Sequence, residues 1–290
     1  MTATETGAPL LHDDVPFFRS AVNYTATDLG FSPVLVEKDY FCSLALRSLA
    51  LEPSNLFFKG GTSLAKIHIG AFRISEDLDF SADVPETASR RQRSRAVDGM
   101  RGALDRVLKG SGFRLARPLA GSNESRQYSA RLAYDSRVDG AEREIKVEVG
   151  VREPVLTSVL NGEVMTLLRD PIDGQPLFPR FRIACLSWNE TMSEKFRAAL
   201  TRVAIRDFFD VQFATRNIRF DSEAPEFLEL LRRKLAIEGG GTVDLSEDKL
   251  KVLRRQLETD LRPVLRPSDF AIFDLGTTYE LVRAVHAALA

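Results

Sequence analysis

Apolar residues at helical spacing dominate both ends of the chain. Between Val15 and about Leu51 they predict two helices, separated by a turn at residues 30–33 that contains glycine and proline. After Pro179 the spacing is again helical and predicts five further helices up to about Ala288. The sequence therefore predicts helices before and after a central segment of different character.

The first half of this central segment predicts two short strands. An apolar run at residues 54–59 ends at two glycines, and a helical pattern follows it. Residues 73–83 alternate, so that Ser75, Asp77 and Asp79 are expected on one face of a strand.

The second half of the segment predicts a hairpin. Residues 125–136 and 142–154 both alternate, and an Asp-Gly turn signal lies between them. We therefore expect an α+β fold in which a mixed sheet is flanked by helices. The change of pattern near Pro179 predicts two domains, a sheet domain with N-terminal helices over residues 1–180 and a helical domain over residues 181–290.

Composition excludes several classes of protein. The 290 residues are 44% hydrophobic with a net charge of −1, which is typical of a globular chain without a global attraction to nucleic acid. Two cysteines and three histidines favour neither a disulfide framework nor a histidine-rich zinc site. Because the sequence offers no signal peptide and no apolar run of membrane-spanning length, we expect a cytoplasmic protein without membrane contact.

A glycine turn is the first candidate for chemistry. Gly60 and Gly61 would let the backbone approach a phosphate, the following helix would present free N–H groups, and Thr62 and Ser63 would add hydroxyls. Lys66 on that helix could reach the same phosphates. Turns of this kind are also common without a ligand, and a lysine on a helix is as often simply solvated.

Acidic residues on two strands are the second candidate. On a strand, Asp77 and Asp79 point the same way and would suit Mg²⁺, which takes one or two carboxylates and phosphate oxygens. Glu148 interrupts a valine-rich strand and would supply a third carboxylate, as two-metal phosphoryl transfer requires. The alternatives are a solvated strand face for the aspartates and, for Glu148, an ion pair with Lys146 or a cross-strand arginine.

The order of these motifs is that of the DNA polymerase β-type nucleotidyltransferases, and longer motifs narrow the resemblance. The segment KGGTSLAKIHIGAFRISEDLDFS resembles the AbiEii family of toxin nucleotidyltransferases. So do VEKDYFCSLALRSLA before it, and IKVEVGVREP and SEKFRAALTRVAIRDFFDVQF after it. Together these motifs extend from residue 36 to about residue 213.

The resemblance implies a polymerase-β-type core followed by a helical domain. It also implies the toxin of an abortive-infection or toxin–antitoxin pair, with a cognate antitoxin as partner and a nucleoside triphosphate as donor. Some relatives modify the 3′ end of tRNA, so tRNA is the expected acceptor. The sequence leaves two other functions open: nucleotidylation of a protein, and non-catalytic nucleotide binding.

The resemblance also assigns residues. It gives Lys195 a contact with the triphosphate and makes one of Asp207 and Asp210 functionally required, with Asp207 slightly favoured. Ser75 corresponds to a serine that antitoxins phosphorylate in some relatives. Arg73 and Ser75 flank the aspartate pair and are expected at the nucleotide.

Each of three further features allows two interpretations. Lys38 is expected either near a substrate or in an ion pair with Asp39 or another acid. A basic cluster at residues 90–95 and a second one at Arg232, Arg233 and Lys234, with Arg254 and Arg255 beyond, are expected either to contact tRNA phosphates or to be solvated.

Overall fold

The computed structural model describes residues 10–51, 55–70, 72–237 and 241–289. Its internal contacts divide the chain into two units. The first contains residues 1–58, 75–154 and 161–185, and the second contains residues 59–74, 155–160 and 186–290. The sequence predicted two contiguous domains that meet at residue 180, whereas each of these units is built from separate segments.

In its described residues the first unit contains four α-helices and the sheet, except for the end residues Lys59 and Leu160. The helices are α1 (Val15–Leu29), α2 (Pro33–Ala50), α4 (Arg90–Ala96) and α5 (Asp98–Gly110). The strands are β1 (Leu56–Lys59), β2 (Leu78–Ala82), β3 (Arg114–Ser122), β4 (Gln127–Asp135), β5 (Glu142–Gly150), β6 (Leu160–Glu163) and β7 (Arg182–Cys185).

The seven strands form one mixed sheet in the order β3-β4-β5-β2-β1-β7-β6. The predicted hairpin is confirmed, since β4 and β5 pair antiparallel from Gln127 opposite Gly150 to Asp135 opposite Glu142. Strand β2 pairs parallel with β5, and β1 pairs parallel with β7. The predicted α+β class with a mixed sheet and flanking helices is therefore confirmed.

Alternation gives the central strands one buried apolar face. Leu78 and Phe80 on β2, and Val147 and Val149 on β5, are buried. Burying such side chains stabilises the fold by about 1.5–3 kcal/mol each. The intervening residues of both strands, including Asp79 and Glu148, therefore lie on the opposite, polar face.

Helix α2 fixes the hairpin through apolar and polar contacts. Phe41 stacks on Tyr134 of β4 with ring centroids 4.0 Å apart. The buried carboxylate of Glu37 accepts hydrogen bonds from the Ser136 hydroxyl at 2.6 Å and from the Arg137 amide at 2.5 Å. A buried carboxylate is tolerated here because hydrogen-bond donors at the hairpin turn satisfy it.

The second unit is helical. Its helices are α3 (Gly60–Ser63), which continues as a π-helical turn over Leu64–His68, α6 (Trp188–Thr201), α7 (Ile205–Asn217), α8 (Pro225–Ala236), α9 (Glu247–Gln256), α10 (Pro267–Ala271) and α11 (Leu275–Ala287). Its buried apolar cluster includes Phe196, Phe208, Phe227 and Leu253. The final predicted helix is two helices in the structure, because Ile272, Phe273 and Asp274 separate α10 from α11.

Replacing Ser246 with alanine tests the N-terminal cap of α9. The Ser246 hydroxyl accepts a hydrogen bond from the Lys249 amide at the start of α9. We expect Ser246→Ala to lower the free energy of unfolding by about 1 kcal/mol in urea titrations, and Ser246→Gly by only a few tenths. Equal stability of the alanine variant and the parent chain would contradict the cap.

Candidate active site

Two of the three predicted carboxylates are direct neighbours in the sheet. In the parallel ladder between β2 and β5, Asp79 is the register partner of Glu148. Adjacent strands lie about 4.8 Å apart, and register partners point to the same face. Asp79 and Glu148 therefore share the polar face of the sheet.

Glu148 is held on that face by two neighbouring side chains. Lys146, two residues earlier on β5, forms an ion pair with one carboxylate oxygen of Glu148. The side-chain amide of Gln127 on β4 donates to the other oxygen. The ion pair with Lys146 is the alternative that the sequence left open for Glu148, and the contact with Gln127 was not predicted.

Asp77 immediately precedes β2 and lies among both basic and acidic side chains. Burial raises the pKa of Asp77, and Lys146 and Lys38 oppose this rise, while Glu76 and Glu148 add to it. Lys38 forms an ion pair with Glu76 at 3.5 Å, so the acid beside Lys38 is Glu76. These charges place Asp77 in the electrostatic surroundings of Glu148.

Their chemistry fits a magnesium ion. Mg²⁺ prefers carboxylate oxygens and is commonly held by one or two protein carboxylates together with substrate phosphates and water. Asp79 and Glu148 offer two such groups on adjacent strands. Within the described ranges, no group of three or more acidic, histidine or cysteine side chains is arranged to hold a metal.

Ser75 lies outside β2, which corrects the predicted strand. The ladder between β2 and β5 begins at Leu78 opposite Val147, and residues 74–77 have no regular secondary structure. The backbone amide of Ile74 is instead bonded to the carbonyl of Val264 at 3.2 Å. Alternation along a strand therefore gives no common face to Ser75 and Asp77.

The glycine turn in the second unit needs its first glycine. Gly60 has a φ of +75°, a conformation that residues with a Cβ rarely adopt. Thr62 and Ser63 are buried in α3, and among the described residues the Ser63 hydroxyl has no hydrogen-bond partner. A buried hydroxyl without a partner is costly and is unusual in a native fold.

Lys66 is buried in the π-helical turn, so the alternative of a solvated surface lysine is wrong, and its contact with phosphates stays a prediction. The turn is also anchored through Lys59, which the sequence did not single out. The ammonium group of Lys59 contacts a carboxylate oxygen of Glu194 on α6 at 3.2 Å. Lys59 and Lys234 hold the pKa of Glu194 well below its usual range although burial opposes this.

Arg73, Asp210 and Lys195 form a buried charge network in the second unit. Arg73 donates to both oxygens of Asp210 at 2.5 and 2.7 Å, and Lys195 contacts Asp210 at 2.8 Å. All three side chains are at most 8% exposed. Burial would lower the pKa of Lys195, but the carboxylates of Asp210 and Asp207 outweigh it and raise that pKa.

Asp207 extends the network towards solvent. It contacts Lys195 at 3.0 Å and Arg202 at 2.8 Å, and the Arg202 side chain is 62% exposed. Burial alone would raise the pKa of Asp207, but Lys195 and Arg202 lower it to about 2. The sequence analysis did not identify Arg202, which follows the last residue of α6 and forms the solvent-exposed end of the network.

This pKa shift predicts acid sensitivity. The ordinary pKa of Asp207 is 3.8, so its lower value in the folded chain stabilises the fold above about pH 4, and this contribution is lost as pH falls towards 2. We expect the stability difference between the parent chain and Asp207→Asn to narrow by roughly 2 kcal/mol over this range. Urea unfolding at several pH values measures it, and a pH-independent difference would contradict the assignment.

The two basic clusters differ in the structure. Arg90, Arg91 and Arg95 on α4 are exposed. Lys234 is buried and contacts Glu190 at 2.7 Å, so its predicted place in a surface cluster is wrong. Arg232, Arg233, Arg254 and Arg255 are exposed on α8 and α9.

Known structures share this fold. MenT4, a nucleotidyltransferase toxin from Mycobacterium tuberculosis H37Rv, is 20% identical with a TM-score of 0.53, and the match covers 98% of each chain. JHP933 from Helicobacter pylori is 19% identical with a TM-score of 0.52, covering 89% of this chain and 94% of that one. No curated protein matches the chain.

The family is shown by a match over most of the chain. The family described as nucleotidyl transferase AbiEii toxin, type IV toxin–antitoxin system, matches residues 44–285. Fold and family together define a nucleotidyltransferase. The chain belongs to the AbiEii family of toxins, and membership implies an antitoxin partner. No helix in the described part of the chain has the length and apolar character needed to cross a membrane.

Proposed function

We propose that this toxin transfers a nucleotide from a nucleoside triphosphate to an RNA acceptor, the tRNA 3′ end, in a Mg²⁺-dependent reaction in the cytoplasm. The observation that carries the proposal is the register of Asp79 with Glu148 on one face of adjacent parallel strands. Asp77 precedes the same strand and lies within the electrostatic influence of Glu148. These are the side chains that we assign to Mg²⁺.

In this reaction an acceptor hydroxyl attacks the α-phosphorus of the donor. A new P–O bond forms, the bond to the β-phosphate breaks, pyrophosphate leaves, and the hydroxyl loses its proton. Bound Mg²⁺ supplies Lewis-acid stabilisation of the developing negative charge. Asp79 and Glu148 share the polar sheet face, Asp77 immediately precedes β2, and we assign Glu148 to accept the hydroxyl proton.

We assign the phosphates to residues of the second unit. The Gly60 and Gly61 backbone, Thr62 and the Ser63 hydroxyl present donors, and the Ser63 hydroxyl has no partner among the described residues. Lys66, Arg73 and Lys195 supply positive charge, and Asp207 and Asp210 fix the position of Lys195. The exposed arginines of α4 are suited to RNA phosphates.

Labelled nucleotides test the donor and the acceptor together. The protein is incubated with Mg²⁺, each α-labelled nucleoside triphosphate in turn, and either total tRNA or lysate. Label in tRNA supports the proposal, and label in protein would instead make the chain a protein-modifying enzyme. Nucleotide binding without transfer to any acceptor would make it a non-catalytic regulator. Asp79→Asn serves as the inactive control.

Ser75 is the proposed point of control by the antitoxin. It lies two residues before Asp77, so a phosphate there would add nearly two negative charges beside the carboxylates and oppose binding of a triphosphate. We expect Ser75→Asp to lower transfer at least about tenfold, with Ser75→Ala close to the parent chain. Equal transfer rates for the two variants would contradict this role.

A further inference from the structure

Both carboxylate oxygens of Glu148 are already engaged. Oε1 accepts from Gln127, and Oε2 is paired with the ammonium group of Lys146. These two contacts satisfy the Glu148 carboxylate, and the ammonium group beside Oε2 repels a metal cation that approaches the same carboxylate. Glu148 is therefore held in an arrangement that satisfies it without a metal.

Lys146 lies among several acidic groups. Burial raises the pKa of Asp77, and Lys146 opposes this rise more strongly than Lys38 does. The neighbouring cross-strand cation, Arg131, is itself paired with Glu144 at 2.9 Å. Lys146 thus places positive charge near the carboxylates of both Asp77 and Glu148.

The ion pair is exposed enough to be displaced. The Lys146 and Glu148 side chains are 34% and 21% exposed, and ion pairs of this exposure contribute little net stability. A divalent cation brings twice the charge of an ammonium group and prefers carboxylate oxygen ligands. The charge and the ligand preference of a divalent cation therefore both favour displacement of the Lys146 ammonium group from Glu148.

We propose that Lys146 is a positioning residue that acts as an internal counter-ion. It holds Glu148 while the site has no metal and competes with a divalent cation for that carboxylate. This inference rests on the proposed metal-dependent function. Lys146 thereby sets the metal concentration at which the toxin becomes active, because the cation must displace its ammonium group from the Glu148 carboxylate.

Direct binding of Mn²⁺ to the intact chain tests this proposal. Bound ion is measured by loss of the free-ion electron paramagnetic resonance signal, because Mn²⁺ shares the oxygen preference of Mg²⁺. We expect Lys146→Met and Lys146→Gln to bind Mn²⁺ roughly tenfold more tightly than the parent chain. Lys146→Arg should resemble the parent, and Gln127→Ala should show a smaller gain.

Two controls separate this effect from a general change of charge. Lys251→Met removes a lysine from an exposed ion pair with Asp248 and should leave Mn²⁺ affinity unchanged. In a chain that carries Glu148→Gln, adding Lys146→Met should give no gain in Mn²⁺ affinity over Glu148→Gln alone, because Lys146 acts through that carboxylate. Thermal unfolding verifies that each variant is folded.

The outcomes separate this inference from the proposed function. Measurable binding with equal or weaker affinity in both neutral Lys146 variants would overturn the counter-ion role and leave the metal site intact. Absence of Mn²⁺ binding in the parent chain and in every variant would overturn both. A gain that survives Glu148→Gln would show that Lys146 does not act through Glu148.

Discussion

Asp79→Asn is expected to lower nucleotidyl transfer by about a thousandfold or more. The change keeps the shape of the side chain but removes the negative charge opposite Glu148 on the polar sheet face. Metal stabilisation of the transition state contributes several kcal/mol, and each 1.36 kcal/mol corresponds to about a tenfold change in rate. Initial rates with labelled nucleoside triphosphate and tRNA measure the loss.

A matched substitution separates charge at the site from charge in general. Asp83→Asn makes the same change just after the end of β2 and should leave the transfer rate within about twofold. In cells, growth arrest by the parent chain should be relieved by Asp79→Ala at equal expression. A transfer rate for Asp79→Asn within tenfold of the parent would remove Asp79 from the catalytic set.

Asp210→Ala is expected to cost about 3–5 kcal/mol of the free energy of unfolding. Asp210 is fully buried and accepts two hydrogen bonds from Arg73 and a contact from Lys195. Its removal leaves two buried cations with less compensating charge, and breaking a buried ion pair from one side costs this much. Urea unfolding at neutral pH measures the effect.

An exposed pair provides the comparison for this loss. Asp248→Ala removes the partner of Lys251, an ion pair at 2.8 Å whose side chains are both exposed, and should cost no more than about 1 kcal/mol. If Asp210→Ala cost no more than Asp248→Ala, the buried network would not stabilise the second unit.

Local pattern was sufficient where a strand or helix has one apolar face. The β4–β5 hairpin follows from alternation around an Asp-Gly turn. Strand β3 was not predicted because nearly all of its residues are exposed and it contains Pro118. An edge strand without a buried face lacks the alternation on which prediction depends.

The local sequence pattern could not predict contacts between residues that are far apart in the chain. The parallel pairing of β2 with β5 joins residues far apart in sequence, and it is this pairing that brings Asp79 beside Glu148. Lys66 and Lys234 are buried against the usual preference of lysine, because tertiary partners such as Glu190 satisfy Lys234. The resemblance pointed to Lys195 and to one of Asp207 and Asp210, whereas the burial of Lys195 and Asp210 with Arg73 emerged only from the structure.

Release of pyrophosphate from nucleoside triphosphate and tRNA, with and without Mg²⁺, measures whether the paired carboxylates catalyse a metal-assisted transfer. The parent chain should release pyrophosphate only when Mg²⁺ is present, and Glu148→Gln and Asp79→Asn should release almost none at any Mg²⁺ concentration. Undiminished release in the presence of a chelator, or from Glu148→Gln, would contradict a metal-assisted reaction at these paired carboxylates.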